Sequence, residues 1–185
     1  MFGDYQETHK LSEVAIITGG LTKNAKRDKL ELRKPYLRVA NVSFASIDTT
    51  EMLDIGLTKE EYEKTLLQKD DLLFVEGNGS PDQIGRVAIW NGEIEDCVHQ
   101  NHLIKARFDL KRMSPIFAMY YFISERGRSQ IKQRAVSTSG LYTLSVSKIA
   151  NFGIPNPPME LQQQFAAFVA QVDKSKHFSE LEVAA

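Results

Sequence analysis

The order of short apolar runs and turn residues is the sequence feature that most limits the fold. Five runs in the first 108 residues suit strands, because they are rich in apolar and β-branched residues and are bounded by turn residues or polar loops. These runs are 14–18, 36–42, 71–75, 85–90 and 102–108. The Asn91-Gly92 pair between the last two predicts a hairpin. The sequence therefore predicts a sheet in this part of the chain.

Helical signals dominate after the last of these runs. Ser114-Pro115 supplies an N-cap and a proline at the first helical position, and an apolar segment with helical spacing follows. Gly127 is expected to end or break that helix, with another turn or two over 129–135. Short elements are predicted at 143–150 (helix) and 152–154 (strand). Earlier in the chain, Thr58 and Glu61 form a capping box that predicts a helix from 59 to about 66.

A polar helix is predicted from 159 to about 181, roughly 30 Å long at 1.5 Å per residue. Its apolar residues are spaced four, three and four apart, as in a coiled-coil seam. They are Leu161, Phe165, Phe168 and Val172. This stripe predicts an interface with a partner helix, while docking of the helix on its own domain is an equal alternative. The chain thus divides into a domain at 1–157 and a helix at 158–185.

Composition excludes several classes of protein. A length of 185 residues suits one domain, and no window holds 18 uninterrupted apolar residues, so no membrane span is expected. The polar N-terminus carries no secretion signal. The single cysteine, Cys97, allows no internal disulfide and no metal-ligand spacing. These features predict a cytoplasmic protein.

Charge is unevenly distributed along the chain although the net charge is only −1. Segment 23–38 carries an excess of five cations and segment 105–134 an excess of six, whereas 51–71 carries an excess of four acids. A protein that binds phosphate with one face needs such a local excess more than a high overall pI. A solvated surface with uneven charge is the alternative reading.

Motifs that would indicate catalysis are incomplete. Segment 156–159 reads Asn-Pro-Pro-Met, but the related loop of amino-methyltransferases needs an aromatic in fourth place to stack the flipped base. Pro81-Asp82 is followed by Glu95 where a nuclease would carry a lysine. The four histidines assemble no site with a serine, cysteine or aspartate. A binding protein without metal or cofactor is therefore predicted.

Several segments, in order, resemble a known family. They are LSEVAIITGG, PYLRVANV, KDDLLFVEGNGS, IGRVAIW, HQNHLIKARF, YYFISERGRSQIKQRA and STSGLYTLSVSKIANFGIPNPPMELQQQF. From about residue 10 to 175 the chain is similar to the target-recognition domain of type I restriction–modification specificity subunits. The resemblance implies an α+β fold built on a twisted sheet with flanking helices and a long C-terminal helix.

The resemblance also implies a function and partners. Such a domain is not itself a catalyst: it reads one half of a split target in double-stranded DNA. Full-length members hold two such domains joined by paired helices, with an adenine methyltransferase subunit and a motor–nuclease subunit as partners. This chain departs from that pattern in holding one domain and one helix, and three readings stay open: an excised fragment, a truncated gene product, or a natural half-subunit that dimerises. The expected partner of its helix is a second target-recognition half or a second copy of itself. The alternative is a protein-interaction half-subunit that modulates a restriction–modification complex mainly through its C-terminal helix.

Candidate DNA-binding residues follow from the chemistry of readout. Arginine, lysine, asparagine and glutamine distinguish base edges in the major groove, while lysines and hydroxyl side chains suit phosphates. The candidates are Lys26, Lys29, Lys34, Arg38, Asn41, Asn78, Ser80, Arg86, Gln100, Asn101, Arg134, Ser139 and Tyr142. Of these, we expect the lysines of the 23–34 loop to contact phosphates. Each residue could equally be a surface polar group or a turn-former.

Overall fold

A computed structural model describes residues 8–138 and 140–183, with side chains given except at 136–138 and 176–183. Its strands are β1 (His9–Lys10), β2 (Ala15–Gly19), β3 (Arg33–Leu37), β4 (Leu53–Gly56), β5 (Leu72–Val75), β6 (Gly77–Asn78), β7 (Val87–Ile89), β8 (Val98–His99), β9 (Leu103–Phe108), β10 (Val136–Thr138), β11 (Leu141–Thr143) and β12 (Gly153–Ile154). Its α-helices are α1 (Lys59–Thr65), α2 (Pro115–Ile123), α3 (Glu125–Arg134), α4 (Val146–Ala150) and α5 (Met159–Val183). The predicted α+β fold is confirmed.

The central sheet has four antiparallel strands in the order β2-β9-β5-β7. All four residues of β5 are buried, as its apolar run predicts. The predicted hairpin at Asn91-Gly92 is wrong, because the strands on either side of it do not pair with each other. β5 lies between them and pairs with β7 through Leu73↔Ala88 and with β9 through Leu73↔Lys105. The turn instead leads into a second sheet.

This second sheet has the order β4-β3-β8, in which β3 and β8 run parallel. The strand predicted over 36–42 ends at Leu37, and Val39–Asn41 forms a 3-10 turn. Asn41 determines this early end. Its Oδ1 accepts from Arg38 N at 2.9 Å, and its Nδ2 donates to the carbonyls of Asp48 at 2.8 Å and Glu51 at 3.2 Å. Because its side-chain bonds are made inside the fold, Asn41 is a structural residue.

Local capping signals place the helices as predicted. The Thr58–Glu61 capping box begins α1, and Ser114 accepts from Phe117 N at the start of α2. The prediction that Gly127 ends the helix is wrong, because the chain already turns at Ser124, which caps α3. A Cβ at Gly127 would lie 2.2 Å from Tyr121 O. Glycine therefore lets α3 fold closely against the end of α2.

The largest core cluster lies between the central sheet and α2. Phe74 from β5, Phe122 from α2 and Phe152 before β12 are all buried, with ring centroids 5.0–6.3 Å apart. Such aromatic pairs add about 0.5–1.5 kcal/mol each beyond their area burial. A smaller cluster around Trp90 fills the space between the two sheets. The sheets and helices are therefore held together by one apolar layer on each side of β5.

Helix α5 is attached to the domain by its first two turns. Gln162 is fully buried: its Nε2 donates to Pro157 O at 2.8 Å, and its Oε1 accepts from Ser114 N at 2.8 Å. Phe165 packs edge-on against Phe117 and Tyr120 of α2 at 5.8 and 5.7 Å. With 25 residues, α5 is about 37 Å long, whereas α2 is about 14 Å. α5 therefore runs beyond the helix on which it packs.

The predicted helix stripe is divided by this packing. Phe165 is used by its own domain, which corrects its assignment to a partner interface. Phe168 is 61% exposed, and Leu161 and Val172 are half-buried.

Within the described part of the chain, no helix is long and apolar enough to cross a membrane.

Candidate nucleic-acid interface

Loops from both sheets meet at one end of the strands. β2, β5, β3 and β8 all finish at this end, and β9 and β7 begin there, as the register Gly19↔Ile104, Phe74↔Val87 and Leu37↔His99 shows. Backbone hydrogen bonds join the loops: Gln100 N donates to Leu37 O and Asn101 N to Leu21 O, both at 2.9 Å. The topology thus brings together segments far apart in sequence.

We call this surface the loop edge. It gathers seven of the residues predicted to bind DNA, some of them more than sixty residues apart. They are Arg38, Asn78, Ser80, Arg86, Gln100, Asn101 and Tyr142. Tyr142 joins the surface because β11 pairs with β6 through Tyr142↔Asn78.

Two arginines at the loop edge are only loosely held. Arg86 donates to Gln83 Oε1 and Val39 O, both at 3.4 Å, and Arg38 donates to Glu51 O at 3.0 Å. The Nε atoms of both arginines are buried and make no hydrogen bond within the described residues. Bonds at 3.4 Å are weak, so exchanging them for acceptors on a ligand costs little. Guanidinium donors of this kind suit the O6 and N7 acceptors of guanine.

Polar side chains beside the arginines also have amide groups that are not hydrogen-bonded to described residues and could bind a ligand. Asn78 Oδ1 accepts from Ser80 N at 2.9 Å, which fixes the turn after β6. Its Nδ2 makes no hydrogen bond to any described residue. The side chains of Gln100 and Asn101 are half-buried and form no hydrogen bond in the same part of the structure. Amides of this kind can pair with adenine N6 and N7.

Several predicted residues lie away from the loop edge. Lys34 Nζ binds Asp96 Oδ2 at 2.5 Å and lies 5.4 Å from the Tyr62 ring centre, and this lysine holds the pKa of Asp96 below its usual value. Lys26 and Lys29 are exposed in the 3-10 turn before Arg33, which is roughly 13 Å along β3 from Leu37. The turn that carries Lys26 and Lys29 thus precedes the start of β3, whereas the residues predicted to read bases lie at its other end. We do not retain these lysines, or buried Asn41, in the candidate interface.

Two further predicted residues need comment. Arg134 is at the end of α3, where it donates to Asn151 O and lies 5.7 Å from the Phe152 ring centre. It stabilises the packing of α3 on the segment before β12. Ser139 lies outside the described residues.

The first two cations of the basic segment 105–134 are used within the fold. Lys105 Nζ donates to Leu66 O at 2.9 Å, Arg107 NH2 to the same carbonyl at 3.0 Å, and His99 Nδ1 bonds Thr65 O at 2.9 Å. These three side chains satisfy carbonyls at the C-terminus of α1. Burial lowers the pKa of Lys105 to about 8 and that of His99 to about 4. This part of the predicted charge excess is therefore not available to DNA.

The loop edge includes residues that the sequence did not single out for DNA binding. His102 is exposed, and its Nδ1 lies 3.0 Å from Glu76 Oε2. Gln83 contacts Arg86. The signal that could have identified them is their position: His102 lies in the loop that leads into β9 and Gln83 in the loop that leads into β7. Both strands begin at the loop edge, which becomes apparent only when β5 is known to lie between them.

The chemistry of the site is that of binding. Within the described residues, no three His, Cys, Asp or Glu side chains are placed to hold a metal ion. Burial raises the pKa of Cys97 to about 12, so its thiol remains protonated. The hydrogen-bond donors of the loop edge belong to residues at or beside strand ends. The fold is that of an α+β domain with an attached helix.

The chain belongs to the type I restriction modification DNA specificity domain family, whose model matches residues 4–182. It is therefore a specificity component of a restriction–modification system and not a catalytic subunit. This confirms the resemblance carried by the ordered segments.

Individual relatives support this membership. The chain is 29% identical over 172 residues to the putative type I restriction enzyme MjaX specificity subunit of Methanocaldococcus jannaschii, covering 90% of this chain and 39% of the relative. It is 27% identical over 171 residues to the EcoKI specificity subunit of Escherichia coli K12, covering 88% and 35%. The chain thus spans less than two-fifths of the length of these relatives.

Solved structures share the fold. A chain from a structure of the type I R-M system matches with a TM-score of 0.64 at 15% identity, covering 91% of this chain and 38% of that chain. The HsdS subunit from Thermoanaerobacter tengcongensis matches with a TM-score of 0.58 at 16% identity, covering 91% and 37%.

Proposed function

We propose that this domain reads one half of a bipartite DNA target through the loop edge and directs methyltransferase and restriction subunits to it. The observation that carries the proposal is the gathering of Arg38, Arg86, Gln100 and Asn101 at one end of the two sheets. These are the side-chain types that discriminate bases in the major groove. Their attachment to strand ends gives the fixed geometry that base readout requires.

Arg86→Gln tests readout of bases at this surface. We expect the variant to lose discrimination at one or two base positions, at a cost of about 1–3 kcal/mol per contact, because a guanidinium fork is replaced by a single amide. Selection of bound duplexes from a randomised pool, repeated with wild type and variant, measures the change. Asn101→Ala should act at a different position in the same assay.

Lys29→Gln is the control for this experiment. It also removes one positive charge, but from the turn before the start of β3, whereas the loop edge lies at the other end of that strand. It should leave the base preference unchanged. If Lys29→Gln altered the preference and Arg86→Gln did not, the reading surface would be wrongly placed.

A partner helix is the second element of the proposal, and the exposure of Phe168 favours it. An apolar ring 61% exposed on a long helix is typical of an interface. We propose that the α5 face around Phe168 packs on the equivalent helix of a second target-recognition half or a second copy. This also supports the alternative of a half-subunit acting mainly through its helix.

Phe168→Asp should leave the domain folded and abolish self-association or co-purification with the modification subunit. A charge placed in a packed seam without a counter-charge is costly. Phe165→Asp is the matched variant and should instead lower the free energy of unfolding by about 2 kcal/mol, because its ring packs on α2. Light scattering and melting curves separate the two. An unchanged oligomer with a lowered melting temperature for Phe168→Asp would contradict the partner helix.

A further inference from the structure

One face of α3 presents cations next to the loop edge. Arg128 and Lys132 are one helical turn apart and both reach the turn between β6 and β7. Arg128 donates to Gly85 O at 3.1 Å and Asp82 O at 3.0 Å, and its guanidinium lies 5.0 Å from the Phe44 ring centre. Lys132 Nζ binds Asp82 Oδ1 at 2.6 Å. The same turn carries Ser80 and Arg86, so this face is continuous with the base-reading surface.

The surrounding charge is strongly one-sided. Segment 124–153 contains five cations and one acid, Glu125. In contrast, segment 22–71, which includes the basic loop, contains ten cations and ten acids. Some of those charges pair directly, as Arg27 does with Glu61 at 2.8 Å. The excess of cations is therefore carried by the segment that contains α3.

Asp82 is a carboxylate brought into this basic region from another part of the chain. Its side chain is 75% exposed and that of Lys132 is 44% exposed. Lys132 holds the pKa of Asp82 below its usual value, so the carboxylate is charged at neutral pH. Exposed pairs of this kind contribute little to stability. A second anion can therefore replace Asp82 as the partner of Lys132.

We infer that the α3 face bearing Arg128 and Lys132 contacts the phosphate backbone of DNA bound at the loop edge, and that Asp82 competes with phosphate for Lys132. The inference rests on the proposed function and adds a regulatory element to it. Because the Asp82 carboxylate competes for Lys132, it weakens binding to the phosphate backbone of DNA of any sequence. It affects specific complexes less, because their base contacts hold the phosphate in place. Asp82 thereby raises the ratio of specific to non-specific affinity.

Three variants of the full 185-residue chain test the competition. The readout is anisotropy of a labelled duplex of roughly 20 base pairs over a range of salt, where each phosphate contact contributes about 0.9 to the slope of log K against log salt. Asp82→Asn should steepen the slope and tighten binding to random sequence, by a part of the roughly 0.9 that one phosphate contact contributes. Lys132→Gln should flatten the slope, and its shift should make up the remainder. The double variant should behave like Lys132→Gln, because Asp82 acts through Lys132.

A second ion pair provides the matched control. Asp96→Asn breaks the Lys34–Asp96 ion pair. The N–O distance of this pair, 2.5 Å, is similar to the 2.6 Å of the Lys132–Asp82 pair, but the Lys34–Asp96 pair lies away from the loop edge. The substitution should leave the salt slope unchanged. Melting curves of all variants exclude unfolding as the cause of a change.

The outcomes separate this inference from the proposed function. If the wild-type chain binds no duplex at low salt, the proposed function is contradicted. If wild type binds and Asp82→Asn matches it, or if the double variant keeps the steeper slope, the competition is overturned while DNA binding stands. If Asp96→Asn shifts the slope as much as Asp82→Asn, the effect is one of net charge and the inference is wrong.

Discussion

Asp71→Ala is expected to lower the free energy of unfolding by about 3 kcal/mol. The carboxylate of Asp71 is buried and accepts from Arg107 Nε at 2.8 Å and NH2 at 2.7 Å, as well as from Gln68 N at 2.7 Å. Its removal leaves a guanidinium and a backbone donor unpaired next to the C-terminus of α1. The value is at the low end for a broken buried pair because the Arg107 side chain is 32% exposed.

Asp82→Ala is the control for this prediction, since it removes the same group from an exposed ion pair. It should leave the free energy of unfolding nearly unchanged, because the Asp82 side chain is 75% exposed. Urea unfolding of both variants measures the difference. Equal effects of the two substitutions would show that the Asp71–Arg107 pair does not hold α1 against the sheet.

Acid should destabilise the domain through His99. Burial, with a smaller contribution from nearby Lys105, lowers the pKa of His99 from its ordinary value of 6.5 to about 4. The unfolded chain therefore binds more protons between these two pH values, and stability falls as the pH falls through this window. Over the whole window the loss is on the order of 3 kcal/mol.

His99→Gln removes this titration and keeps a donor for Thr65 O. The variant should show a flatter dependence of unfolding free energy on pH between 6.5 and 4. His102→Gln, at an exposed histidine, should retain the wild-type profile. Denaturant unfolding at several pH values gives the measurement, and a His99→Gln profile as steep as that of wild type would count against a buried neutral His99.

Local signals made the helices predictable. The capping box of Thr58 and Glu61 and the N-cap at Ser114 act within a few residues, so they can be recognised in the sequence. β2, β5, β7 and β9 lie within two residues of their predicted positions, whereas the strand predicted over 36–42 is observed at 33–37 and β4 was not predicted. The pairing of the strands was not predictable, because nothing near Asn91-Gly92 indicates that β5 will insert between β7 and β9.

The candidate site was predictable by residue type but not by position. Asn41 and Arg86 both fall within predicted strands, 36–42 and 85–90, yet Arg86 lies at the loop edge and Asn41 is buried. The difference arises from Asp48 and Glu51, whose carbonyls reach Asn41 through a loop that carries no recognisable pattern. Likewise, Lys105 is a cation in a basic segment, but the end of α1 covers it. Long-range contacts of this kind determine which charged side chains remain available to bind a ligand.

The anchoring of Gln162 has a mechanical consequence. This side chain is fully buried at the root of a helix about 37 Å long, so a tilt of about 10° at the root would displace the far end by about 6 Å. One base step along DNA is about 3.4 Å. If α5 joins two half-site readers as proposed, a small error at its root would put them out of phase by more than a base pair. The hydrogen bonds of Gln162 to Ser114 N and Pro157 O therefore fix the angle at which α5 leaves the domain.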